Sequence, residues 1–384
     1  MAKAVRIRGP FLGPSGYDNH VRQFSRALSA KGVAVELEGM PEWGPVLLPY
    51  EQRDPWYETL TRPVDAGSVL HFCFPAQVRA DRARANINYT MFEATRIPAG
   101  WVAAHEASDL IVLPTEHSRQ AWINSGVPES KLRLCPLGVR TDLFRPGVPP
   151  LNLNDASGRP LSSYAVRFLN VSELGARKNF PGLLMAWLQA TTPKDDAILI
   201  CKVGAYNPGS IANLKWEIEL AEERTGKRLD QAAPVHFIYD IFPDADMPRV
   251  YAMGTHYISL SFGEGWDLSM IQSASAGLRL IAPRHSAYEA YLDDDIASLV
   301  SSREMPALTQ SGSWISELFE GASWWVPYED DAVARIRAAI EGRDTPVASA
   351  RQRMVECFTW EKAAERLIEI LDEAEAMPRR RTAG

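Results

Sequence analysis

Cysteine is scarce in this chain and follows no pattern. Cys73, Cys135, Cys201 and Cys357 are the only four in 384 residues, with no Cys-x-x-Cys pair and no Cys/His ligand spacing. That argues against a disulfide framework or a structural metal and suggests a reducing compartment. Long apolar runs are also missing. No stretch approaches the roughly 18 apolar residues of a spanning helix, and Met1 to Pro14 has basic residues without the apolar centre of a signal peptide. A cytoplasmic protein is the expectation. No block of four or more basic residues precedes Arg379-Arg380-Arg381, which reads as part of a disordered tail over 377–384, so nothing marks a nucleic-acid partner. The loop Gly13-Pro-Ser-Gly16 lacks the G-x-G-x-x-G spacing, which counts against a nicotinamide dehydrogenase. Outside the acidic run 293–295, the one isolated Asp-x-Asp is Asp244-Ala-Asp246, away from a suitable strand end. No metal site is expected.

What the chain does have is alternation. Runs rich in Val, Ile, Leu and Phe recur at Val5–Ile7, Val33–Leu37, Val69–Phe74, Ile87–Met91, Leu110–Leu113 and Leu132–Leu134. Helical spacing intervenes, as at Val21, Phe24, Ala27 and Leu28. The pattern resumes at Arg167–Val171, Ala197–Val203, Val235–Ile241, Tyr257–Phe262 and Leu278–Ala282. Strands alternating with helices imply parallel sheets covered on both faces, so an α/β chain of two doubly wound domains is expected. A Pro/Gly-rich stretch at 145–161 places the linker at 151–161, between a domain over 1–150 and a second over 162–357; a last helix follows over 358–376. Net charge is −7, unevenly divided: residues 1–150 hold 17 Lys/Arg against 15 Asp/Glu, and the rest 24 against 33. Ordinary surface charge is the simpler reading of the mildly basic first part. A peripheral contact with the inner face of an anionic membrane stays open beside it.

The most informative stretch runs Phe262-Gly-Glu-Gly-Trp-Asp-Leu-Ser-Met-Ile-Gln-Ser-Ala-Ser-Ala-Gly277. It follows a strand-like run and opens a short helix, a geometry that offers unpaired N–H donors to an anion. Ser269 and Met270 fall in the first turn and are the expected phosphate donors. Arg177-Lys178-Asn179 begins another helix after another strand, and two helix starts with adjacent cations suit a diphosphate. Glu264, between two glycines, and Gln272 can accept bonds from sugar hydroxyls. Diphosphate plus sugar means a nucleotide sugar. Trp266 reads as packing, Gly277 as the helix stop, and Asp267 as either a helix cap or a hydroxyl contact.

Here the chain resembles the group 1 glycosyltransferases of family 4, whose C-terminal domain carries a Glu, seven residues, then Glu. Glu264 stands at the first and Gln272 where the second Glu would be. Pro14-Ser-Gly16-Tyr-Asp-Asn-His20-Val, Ala107 to Ser118, Leu137 to Pro146 and Phe358 to Leu367 resemble further motifs of that family in the expected order. The resemblance implies a GT-B fold, with two Rossmann-like domains facing across a cleft, and a retaining, metal-independent transfer from a nucleoside diphosphate sugar to a saccharide or lipid-linked acceptor, with no other cofactor. It puts Glu264 against the donor sugar, Gln272 on the ribose, and Arg177 and Lys178 on the leaving diphosphate. It also puts the Gly16 amide near a donor phosphate, and Tyr239 and Asp240 at the strand end that reads the base. Glu93 is left to orient the acceptor hydroxyl where many relatives carry a histidine. His20 reads equally as a cleft residue or a core residue. The last helix would cross back onto the first domain. The family's Arg five or six residues before the Lys is absent, Ser172 and Glu173 standing there. Because Gln272 departs from the pattern, a nucleotide-sugar-binding protein without transfer is the alternative, beside a GT-B epimerase or phosphorylase.

Overall fold

The computed structural model describes residues 3–44, 46–204, 208–307 and 317–378, so Arg379-Arg380-Arg381 lie outside the described residues. The chain divides into two compact units. Unit 1 is Met1–Gly138 with Glu317–Ala322 and Cys357–Gly384; unit 2 is Val139–Ser316 with Ser323–Glu356. The first break therefore falls after Gly138, ahead of the 151–161 stretch read as a linker. Within unit 2 that stretch closes on itself through an Asn154–Pro160 bridge. The Asp155 carboxylate holds the turn by accepting the Ser157 N–H at 2.8 Å and the Arg159 N–H at 2.9 Å.

Unit 1 carries β1 (Ala4–Gly9), α1 (Gly16–Ala30), β2 (Ala34–Gly39), α2 (Trp56–Thr59), β3 (Ser68–Phe72), β4 (Ala85–Tyr89), α3 (Ala99–Ala104), β5 (Leu110–Leu113), α4 (Glu116–Asn124) and β6 (Leu132–Leu134). Its six parallel strands are ordered β2-β1-β3-β4-β5-β6. The helix Trp360–Ala376 belongs to this unit and packs on α1, β3 and β4. Thr359 caps it by accepting the Lys362 N–H, and Trp360, Ala363, Leu367, Ile370, Leu371 and Ala374 form one buried stripe, the three-and-four spacing of a core-facing helix. Gly138 lets it approach: a Cβ there would lie 2.3 Å from the Trp360 backbone nitrogen.

Unit 2 carries β7 (Val166–Glu173), α5 (Phe180–Ala190), β8 (Ala197–Gly204), α6 (Pro208–Thr225), β9 (Val235–Ile238), α7 (Met247–Tyr251), β10 (His256–Ile258), α8 (Leu268–Ala276), β11 (Arg279–Pro283) and β12 (Ser298–Val300). Its main sheet has six strands, also parallel, ordered β12-β11-β10-β7-β8-β9, and Ser302–Pro306 pairs antiparallel with Ser323–Pro327 in a separate two-stranded sheet. Every residue of β8 is buried, as a central strand covered on both faces requires. The order reverses between β7 and β10. In open parallel sheets the crevice beyond the strand ends at such a reversal collects ligands, and here it lies between the loops that carry Lys178 and Glu264. Among the described residues no helix is long and apolar enough to cross a membrane.

Four strands end earlier than their apolar runs: β3 stops at Phe72 and β4 at Tyr89, two residues short, and β9 and β10 stop earlier still. The Val235–Ile241 run pairs only to Ile238, and the run to Phe262 only to Ile258. In the second case the backbone turns to the neighbouring loop: the Leu260 carbonyl accepts the Asn179 side-chain amide at 2.9 Å, and the Phe262 N–H donates to the Arg177 carbonyl at 2.8 Å.

Candidate functional site

Glu264 is the centre of the site in unit 2. It is 4% exposed, and its carboxylate meets Lys178 Nζ at 2.7 Å and Arg177 Nη1 at 2.8 Å. Arg177 Nη1 also donates to the Gly263 carbonyl at 2.6 Å. The Glu264 N–H donates to Ser286 Oγ at 3.1 Å, and its carbonyl accepts from Ala287 at 3.3 Å. Burial pushes the Glu264 carboxyl up, but the Arg177 and Lys178 charges outweigh it and hold the group below the usual carboxylate range. The cations are not in a helix, as the sequence suggested. Ala176–Lys178 form a single 3-10 turn, and Asn179, left-handed at φ 50°, separates it from α5.

Asp267 sits at the other side of Glu264's loop. Its backbone is left-handed at φ 65°, and it caps α8 by accepting the Met270 N–H at 3.2 Å. Tyr288 OH donates to its second oxygen at 2.9 Å and lies within 2.8 Å of Ser259 Oγ. Of the two readings open for Asp267, the structure gives the cap. The Met270 N–H, expected to meet a phosphate, is thereby already taken. Ser269 and Gln272 lie on the same helix, each half-buried. Trp266 is buried, with Tyr291 OH donating to its carbonyl at 2.6 Å. Gly277 ends the helix at φ 87°, with Leu278 N–H donating to the Ser273 carbonyl as a Schellman closure requires.

Asn179, Asp267 and Ser286 are the three non-glycine residues with positive φ among those described. All three surround Glu264: Asn179 follows the cations, Asp267 follows its loop, and Ser286 accepts its N–H. Each costs an L residue on the order of 1–3 kcal/mol, and such strain collects at functional sites. Sequence reasoning singled out neither Asn179, Ser286 nor Tyr288. The signal available for Ser286 and Tyr288 was their position just past β11, the neighbour of β10 at the sheet's C-terminal edge.

The remaining candidates lie elsewhere. Tyr239 and Asp240 follow β9 as exposed loop residues, Tyr239 stacked on Phe237 at 6.4 Å. Gly16 and Glu93 belong to unit 1. Gly16 is exposed and opens α1 behind the Ser15 cap. The loop ahead of it is tied by its own residues, Gly13 N–H donating to Asp18 at 2.6 Å and Arg22 to the Gly13 carbonyl at 2.7 Å. Glu93 is half-buried, and its charge, after burial, helps raise the Tyr17 phenol. His20 is a core residue: it is 1% exposed, packed on Phe72 and Tyr89, and burial lowers its imidazole to about 3. Both ring nitrogens are buried without a hydrogen-bond partner among the described residues, so desolvation keeps the imidazole uncharged. All four thiols are free, three of them buried. Among the described residues no group of three or more His, Cys, Asp or Glu stands ready to hold a metal.

Two six-stranded parallel α/β units in one chain are the architecture of the GT-B glycosyltransferases, and solved structures of that class match this chain along nearly its full length. The Anabaena protein HepE in complex with UDP and glucose aligns over 97% of this chain and 100% of its own, at 12% identity and TM-score 0.63. Sucrose-phosphate synthase of Thermosynechococcus elongatus aligns over 97% and 98% at 16% identity and TM-score 0.64, and a glycosyltransferase of Rickettsia africae over 98% and 100% at 14% and 0.65. At these identities the likeness is one of fold. No protein-family model and no curated protein matches the sequence.

Proposed function

We propose that the chain is a glycosyltransferase moving a sugar from a nucleoside diphosphate sugar to an acceptor hydroxyl, with the donor held at the strand reversal of unit 2. The observation that carries this reading is the convergence on Glu264. Two cations and three strained backbones are held around one buried carboxylate at the point of a doubly wound sheet where ligands bind. UDP in the HepE structures supports the donor class. Arg177 and Lys178 meet the charge that develops on the leaving diphosphate, a task preorganised cations perform without a divalent metal. Glu264 faces the donor sugar and holds both cations in register. Gln272 accepts a ribose hydroxyl, Ser269 offers its N–H, and Gly16, Tyr239, Asp240 and Glu93 complete the family 4 assignment. The transfer is retaining, and the acceptor is a saccharide or a lipid-linked one presented at the inner membrane face.

A second reading, a binder of nucleotide sugars that does not transfer, is favoured by two departures: Gln272 in place of a carboxylate, and an α8 start already capped by Asp267. Release of free sugar from a nucleoside diphosphate sugar without acceptor separates the two. Slow hydrolysis alone, and faster release of nucleoside diphosphate with the sugar on the acceptor when one is added, is the transferase's result. Binding with no hydrolysis and no transfer contradicts it.

A further inference from the structure

β8 carries a single charge, at a place where the fold asks for none. Cys201 and Val203 join the core with α5 and α6, so strand alternation puts Lys202 on the other face of the sheet. It is 8% exposed, and its amine makes no hydrogen bond and no ion pair to any described residue. An ammonium has three donors and no acceptor, and taking it out of water without a partner is costly. Lys202 is in register with Val171 of β7 and Ile238 of β9. One pleat on, towards the strand ends where ligands collect, Gly204 sets no side chain over it. Glu173 stands in register with that glycine at the end of β7, and Asp240 lies two residues past Ile238; both are exposed. Burial lowers the Lys202 amine, against the charges of Glu173 and then Asp240. An unpartnered donor thus lies between two acceptors at the C-terminal edge of the sheet.

We propose that this edge reads the base of the donor nucleotide, that Lys202 meets a carbonyl oxygen of that base, and that the base is guanine. This rests on the donor-site reading above and deepens it. With the diphosphate on Arg177 and Lys178 beside the β7–β10 reversal, β8 and β9 lie roughly 5 and 10 Å beyond β7. A nucleoside that extends from its phosphates along the strand ends on that side reaches both. Its far end falls on Lys202 and Asp240, while Glu173, on the near side, keeps the lysine charged. The ammonium only donates and the carboxylates only accept, so the base must offer an acceptor beside donors. Guanine does so: its O6 takes the Lys202 amine, and its N1–H and 2-amino group together take the Asp240 carboxylate. Uracil and thymine have one N–H between two carbonyls, which turns a carbonyl oxygen against the carboxylate. Adenine has no carbonyl, and cytosine has no ring N–H on that edge.

The test is calorimetric titration of GDP, IDP, UDP, ADP and inorganic pyrophosphate into the wild type, Lys202→Met and Asp240→Asn, with a melting curve for each protein. Methionine keeps the buried stem and removes a charge that has no acceptor, so that variant should melt no lower than the wild type. Asp240 is exposed, and its variant tests the base edge even where a change at position 202 fails to fold. The expected result is that the wild type binds GDP about tenfold tighter than IDP, which lacks the 2-amino group, and tighter than UDP or ADP. Lys202→Met should weaken GDP by about tenfold or more and leave pyrophosphate unchanged, and Asp240→Asn should bring GDP level with IDP. Equal weakening of GDP and pyrophosphate by Lys202→Met puts the lysine on the diphosphate; it overturns the proposal and leaves the donor site standing. Unchanged GDP affinity in Lys202→Met does the same, and so does a wild type that prefers UDP or ADP. No binding of any nucleotide or of pyrophosphate by the wild type removes the donor site and this proposal with it.

Discussion

At the scale of single residues, Glu264 is a structural anion as well as a functional one. With both cations on it, Glu264→Gln leaves two charges without their partner, and breaking a buried pair costs about 3 kcal/mol. The Glu264 carboxyl is held below its unfolded value, so its contribution to stability is full above about pH 4.5 and is lost as the pH falls through the lowered folded value. Denaturant unfolding of wild type and Glu264→Gln should differ most at neutral pH and converge in acid; a gap that persists or widens in acid contradicts the ion-pair account. Gln272 gives an opposite kind of test. Its amide offers one neutral acceptor where a carboxylate would take two ribose bonds with charge assistance. Gln272→Glu should therefore tighten donor binding by about 1–2 kcal/mol and leave a 2′,3′-dideoxy nucleotide unaffected. Equal tightening of both ligands would take Gln272 off the ribose.

At the scale of elements, the site depends on how β7 passes into α5. Gly182 lies in the first turn of α5, and a Cβ there would come within 2.4 Å of the Asn179 side chain. Gly to Ala inside a helix ordinarily stabilises by about 1 kcal/mol. Here Gly182→Ala should bring no such gain, because it drives the Asn179 amide off the Leu260 carbonyl and loosens the turn that carries Arg177 and Lys178. Unfolding and nucleotide titration together check this; a stabilised protein with unchanged affinity would mean that Asn179 does not hold the turn. The strands themselves were legible because parallel strands buried on both faces read as continuous apolar runs, and the helix at Trp360 because its stripe keeps helical spacing. The strand ends beyond Ile238 and Ile258 were not, since apolarity continues after the backbone has turned away from its neighbour. The helix start at Arg177 was misplaced for a related reason: nothing in Arg-Lys-Asn shows that Asn179 turns left-handed. Glu264, Lys178 and Arg177 were each legible as loop residues beyond parallel strands, but their ion pairing was not, because the sequence assigned the cations to a diphosphate and the carboxylate to a sugar. The hold of Asp267 on the Met270 N–H was not, because a cap and a ligand contact call for the same residue.

At the scale of the whole molecule, two units with different strand orders share one chain, and unit 1 is closed by the chain's last helix. Ending the chain at residue 356 removes the stripe of Trp360, Leu367, Ile370 and Leu371 and uncovers the face of α1, β3 and β4 on which it packs. At about 1.5–3 kcal/mol per large apolar side chain this approaches the whole stability of a domain. The truncated chain should lose the cooperative transition of unit 1 in calorimetry, while an unchanged melting profile would mean that the helix only decorates the unit. The central claim is that the cations of unit 2 hold a nucleoside diphosphate. Its most direct test is the affinity of the wild type and Lys178→Ala for UDP, GDP, ADP and dTDP in EDTA. The account predicts that at least one binds the wild type without metal, and that Lys178→Ala weakens it by about 1.5–3 kcal/mol, roughly 10- to 150-fold. Equal affinity in the two proteins, or binding that requires added Mg²⁺ or Mn²⁺, would contradict it.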